Sequence, residues 1–79
     1  MHMLTKDQKR VLVALGKAIR KTRLSKNLTR ARLALLANVD PSTVGRIECG
    51  NINVRVRTLA RLAKALNVSI AKLLDEAGL

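Results

Sequence analysis

Apolar residues recur along this chain at helical spacing, and no stretch alternates with the two-residue period of a strand. Thr5 followed by Gln8 has the spacing of a capping box. Val11, Leu12, Leu15, Ala18, Ile19 and Thr22 then repeat at helical intervals, which predicts a first helix from Lys6 to about Leu24. Ser25-Lys26-Asn27 breaks the pattern. Thr29 caps a second helix ending at Ala37, with Leu33, Leu36 and Ala37 on its inner face and the small Ala34 where another helix comes close. Asn38 suits the left-handed conformation that ends a helix, Val39 points inward, and Asp40-Pro41 supplies a cap followed by a proline at the first helical position. A third helix is thus predicted from Pro41 to about Cys49, stopped by Gly50. A fourth follows from Arg55 to Leu66 with Leu59, Leu62, Ala63 and Leu66 as its stripe, and a fifth starts after Ser69 and carries Ile70, Leu73, Leu74 and Ala77.

The middle of this pattern is the most specific. Leu33, Ala37, Val39, Val44 and Ile47 face inward, Ala34 is small and Asn38 occupies the turn. Two short helices joined so tightly cross steeply, which needs a small residue at the crossing and a positive φ in the turn. The prediction is an all-α, five-helix domain over residues 1–79, with residues 1–10 as an N-terminal extension and a helix-turn-helix at 30–49.

Composition narrows the function. With 79 residues the chain has apolar side chains enough for one core, and with no Phe, Tyr or Trp that core is aliphatic. Sixteen Lys and Arg against five Asp and Glu leave a net charge of +11, an excess that calls for a polyanion. From Gln8 to Val39, and again from Cys49 to Leu74, every charged residue is basic. Single-strand binders stack bases on aromatic rings, so duplex DNA fits better. One cysteine, Cys49, and one histidine, His2, make neither an internal disulfide nor a metal-ligand cluster, and no cofactor motif is present. Five scattered acids with that Cys and His assemble no nucleophile, base and orienter, so an enzyme is not expected. No apolar run reaches the length of a membrane span and no signal segment is visible, so a soluble, cytoplasmic protein is expected.

Leu28-Thr29-Arg30, Leu33-Ala34, Ser42-Thr43-Val44-Gly45-Arg46-Ile47-Glu48, Leu59, Ala63, Leu66-Asn67-Val68-Ser69 and Leu73-Leu74 together resemble the Cro/C1-type, or xenobiotic-response-element, helix-turn-helix family of the lambdoid phage repressors. The resemblance covers about Leu15 to Leu74 and implies a lambda-repressor-like fold whose third helix enters the major groove. There Pro41, Ser42, Thr43, Gly45 and Arg46 would contact bases, and Thr29, Arg30, Asn51, Asn53, Arg55 and Arg57 phosphates. Arg46 has the donors for guanine O6 and N7, and Ser42 can donate or accept. Gly45 has two readings, an unselected position or a close approach of backbone to DNA. Arg23 and Glu48 occupy positions that form an interhelical salt bridge in many relatives. The chain departs from the family pattern at Arg30 and Pro41, where relatives often carry Gln. Lys9, Lys17, Arg20, Lys21, Arg61 and Lys64 are expected on solvated faces, Asp40 as a helix cap, and Cys49 without a role.

A single small module reads few base pairs, so a homodimer on a palindromic operator is expected. Ile70, Leu73, Leu74, Ala77 and Leu79 are the candidate interface and Val11 with Val13 a second one. A repressor or controller protein is the leading reading. The alternatives are a DNA-binding antitoxin that captures a toxin partner and, less well matched, a membrane-active cationic peptide, which would concentrate its charge on one amphipathic helix.

Overall fold

A computed structural model describes residues 5–79; residues 1–4 of the expected extension, His2 among them, lie outside the described residues. The five helices are α1 (Lys6–Ser25), α2 (Arg30–Ala37), α3 (Pro41–Glu48), α4 (Val56–Leu66) and α5 (Ile70–Glu76), and no strand occurs among the described residues. Residues 6–10, counted with the extension, form the first turns of α1, as the helix predicted from Lys6 requires. That helix starts in a complete capping box: the Gln8 backbone N–H donates to Thr5 Oγ1 at 3.1 Å and the Thr5 N–H to Gln8 Oε1 at 2.8 Å.

Caps fix the other boundaries. Thr29, Asp40 and Ser69 each accept a backbone N–H from the first turn of α2, α3 and α5, whereas Arg55 begins α4 with no side-chain cap. Asn38 and Asn67 end their helices at φ 56° and 59°, and Asn27 takes φ 58° in the break after α1. Cys49 caps α3 instead of continuing it, since Gly50 turns the chain at φ 71°.

The aliphatic stripes converge on one core built from Leu15, Ile19, Leu33, Ala34, Ala37, Val44, Ile47, Leu59, Leu62, Ala63, Leu66 and Leu73. The short α2 packs on α3 and α4, while α1 spans the back of α3 and meets α5. Val39 is half-buried against this core, as its spacing predicts. Two expectations change. Leu36, expected inside, is 50% exposed, because α2 buries Leu33, Ala34 and Ala37 and leaves Leu36 on the edge facing Arg61 and Lys64 of α4. Leu73, expected at a subunit interface, is fully buried within the single chain, where it closes the seven-residue α5 onto the core.

Candidate nucleic-acid interface

The third helix, α3, is fixed from behind. Val44 and Ile47 are inaccessible to solvent, and Gly16 of α1 faces the α3 backbone so closely that a Cβ there would collide with the Ile47 carbonyl oxygen and lie 2.7 Å from that of Glu48. Glycine in the middle of α1 lowers helix propensity, but here it lets two backbones touch.

Arg23 and Glu48, paired by the resemblance, are joined in the structure. Arg23 Nε donates to Glu48 Oε2 at 2.6 Å and Nη2 to Oε1 at 3.1 Å, while Nη1 donates to the Leu28 carbonyl at 2.8 Å. Sequence reasoning missed the third member. Arg30 Nε donates to the same Oε1 at 3.0 Å from a side chain that is half exposed, leaving its two amino groups without an intramolecular bond among the described residues. Glu48 thereby orients an arginine at the start of α2, where the helix N-terminus already favours anions.

Across α3, Pro41, Ser42 and Arg46 are exposed and Gly45 is partly so, with open space around any side chain placed there. Thr43, named with them, is half-buried beside Ile52, Val54 and Thr58, so it borders this face on the side of the following loop. Asp40 caps α3 through Oδ1, which accepts from the Ser42 backbone N–H at 2.9 Å and from Ser42 Oγ at 2.8 Å. The Ser42 hydroxyl, then its backbone N–H, and more weakly the charge of Arg46 hold the Asp40 carboxyl below its ordinary value, with desolvation opposing them. An ionised carboxylate only accepts, so the Ser42 hydroxyl spends its proton on Asp40 and turns lone pairs outward. A serine able to donate or accept in sequence terms becomes an acceptor, matched to the amino groups of cytosine N4 or adenine N6.

Thr29, Arg30, Asn51, Asn53, Arg55 and Arg57 are all exposed, at the start of α2 and along the segment from the end of α3 into α4. Lys9 departs from expectation. Its ammonium leaves the solvated face and donates to the Gly50 carbonyl at 2.6 Å and to Asn51 Oδ1 at 2.9 Å. A contact across 41 residues has no signature in the sequence, whereas Gly16, a glycine inside a helical stripe, is a sign of close approach that sequence reasoning passed over. Among the described residues no group of His, Cys, Asp and Glu could hold a metal, and no helix is long and apolar enough to cross a membrane.

Comparison with known proteins agrees with this geometry. A helix-turn-helix family model matches residues 19–73. The control protein C.SmaI of Serratia marcescens is 38% identical over 65 residues, covering 82% of this chain and 77% of that protein. The restriction-modification controller protein C.AhdI from Aeromonas hydrophila has a TM-score of 0.77 at 37% identity, over 78% of this chain and 94% of that one. The clp gene regulator ClgR from Corynebacterium glutamicum has a TM-score of 0.84 at 35% identity, over 86% and 87% of the two chains. With the matched segment spanning more than half of its length, the chain belongs to the Cro/C1-type helix-turn-helix family of DNA-binding transcriptional regulators.

Proposed function

We propose that the protein is a homodimeric, sequence-specific regulator of transcription that sets α3 of each protomer into successive major grooves of a palindromic duplex site. The observation that carries this reading is the two-sided α3. Its inner row is fixed by Val44, Ile47 and the Arg23–Glu48 pair, while Pro41, Ser42, Gly45 and Arg46 lie open on the other side. In this reading Arg46 forks onto a guanine, Ser42 accepts from a base amino group, and Pro41 lies against a thymine methyl. Thr29, Arg30, Asn51, Asn53, Arg55 and Arg57 engage phosphates on both sides of the groove. The names of the relatives, a control protein and a controller protein, favour a controller over a toxin-binding antitoxin. Its working place is the compartment that holds the DNA, the cytoplasm of a bacterial cell.

The dimension of the chain favours a dimer. Its longest extent is 32 Å, short of the roughly 34–36 Å between major grooves on one face of the duplex, so one chain covers one half-site. With Leu73 consumed by the core, the partner surface falls to Leu79, which is exposed, and to the half-buried Ile70, Leu74 and Ala77. Ala77 borders the same groove as Val13, so the two candidate interfaces on α5 and α1 adjoin. Sedimentation of the protein on a duplex carrying its selected site tests this: two protomers per duplex are expected, and one protomer at saturation would refute the dimeric reading.

A further inference from the structure

Lys9 is a half-buried lysine on α1, where Lys17, Arg20 and Lys21 are exposed and Arg23 is buried in its pair with Glu48. Holding so flexible a side chain in one conformation costs entropy, which its two hydrogen bonds must offset. The bond to the Gly50 carbonyl is structural, since it ties α1 to the turn just beyond the C-cap of α3, where cations are favoured. The bond to Asn51 Oδ1 does something else. An asparagine amide turned with its oxygen toward an ammonium must turn its NH2 group the other way. Asn51 is exposed, so those two donors face solvent at the loop following α3, the edge that the docking proposed above turns toward the sugar-phosphate backbone. An ammonium has three N–H groups and Lys9 has spent two.

We infer that Lys9 and Asn51 form a phosphate-holding pair at the end of the recognition helix. Lys9 fixes the Asn51 amide with its N–H groups outward and adds its own charge and third N–H to the same backbone phosphate. The pair extends the DNA contact beyond the helix-turn-helix to the start of α1, and it rests on the reading of the protein as a duplex-DNA binder. Its ligand is a phosphodiester oxygen, so its contribution is independent of base sequence.

The test measures affinity against salt for the wild type, Lys9→Met, Lys9→Arg and Asn51→Asp, on a random-sequence duplex and on the site selected by the wild type, with thermal unfolding alongside. The wild type, neutralising roughly eight to ten phosphates per dimer, should give a log–log slope of about −7 to −9. Lys9→Met should bind both duplexes about tenfold more weakly. Its slope should flatten by about 0.9 per protomer, and Lys9→Arg should restore the slope. Asn51→Asp should unfold no lower than the wild type, since a carboxylate accepts the Lys9 bond more strongly, yet bind DNA at least as poorly as Lys9→Met. A lower unfolding temperature for Lys9→Met with an unchanged slope would reduce Lys9 to a structural staple and overturn the pair, as would unchanged affinity. A wild type that binds neither duplex would sink the DNA-binding reading itself, an outcome separate from failure of the pair.

Discussion

Arg23 Nε and Glu48 Oε2 lie 2.6 Å apart between side chains that are 8% and 1% exposed, and a second bond of 3.1 Å completes a parallel fork. The pair links the last turn of α1 to the last residue of α3. Each partner has further polar contacts: Arg23 reaches the Leu28 carbonyl and Glu48 accepts from Arg30. Among the described residues no buried side-chain N or O atom lacks a partner, so the desolvation of both charges is compensated in place.

Glu48→Ala would strand the Arg23 guanidinium in the interior. A loss of about 3–5 kcal/mol is expected, a large part of the roughly 5–15 kcal/mol that holds a small domain folded. Urea unfolding measures it. A variant within experimental error of the wild type would mean that the pair is solvated and sets nothing.

Gly16 and Gly45 should respond in opposite ways to alanine. Gly16→Ala drives a methyl group into the carbonyls of Ile47 and Glu48 and should cost about 1–3 kcal/mol while displacing α3. Gly45→Ala meets nothing within 4 Å and should gain up to about 1 kcal/mol of helix stability. If the DNA backbone or a base edge approaches Gly45, the more stable variant binds its site more weakly. Unchanged or tighter binding would leave Gly45 an unselected position.

Most of this architecture was legible because caps and stripes agree. Thr5, Thr29, Asp40 and Ser69 start the helices they were expected to start, and Asn38 ends α2 in the left-handed conformation expected of it. What escaped depends on which neighbour occupies a given side. Leu36 has the spacing of a core residue but falls on the margin between α2 and α4, and Leu73 looked surplus until α5 was seen to contribute no other fully buried residue. The links from Arg30 to Glu48 and from Lys9 to Asn51 join residues 18 and 42 positions apart, and long charged side chains give no sequence signal of where they end.

Ser42→Ala and Arg46→Ala should change which bases are preferred, not only how tightly DNA is held. Each should cost about 1–3 kcal/mol on the preferred site and much less on sites already altered at the contacted base. Arg46→Ala should lose guanine preference, and Ser42→Ala preference for a base with an amino group in the major groove. Binding to a panel of single-base operator variants decides this, since uniform weakening across the panel would make both residues phosphate contacts.

Asp40 gives the fold a specific acid dependence. Its carboxyl is held below the ordinary value of 3.8 chiefly by the Ser42 hydroxyl, so the folded state binds that proton less readily than the unfolded chain. The stabilisation is complete above the ordinary value and is lost as pH falls through the lower, folded one. Asn caps helices about as well as Asp without titrating. The stability advantage of the wild type over Asp40→Asn should therefore be larger at neutral pH than at about pH 3. A difference that is independent of pH would contradict the Asp40–Ser42 arrangement.

Selection of bound sequences from a random duplex library tests most directly whether the open face of α3 reads DNA. The account predicts an enriched palindrome whose half-sites lie about one helical turn apart, each with a guanine for Arg46 and, beside it, a cytosine or adenine amino group for Ser42. Retention of duplexes with no enriched sequence, or enrichment that persists in an Arg46→Ala, Ser42→Ala double variant, would contradict it.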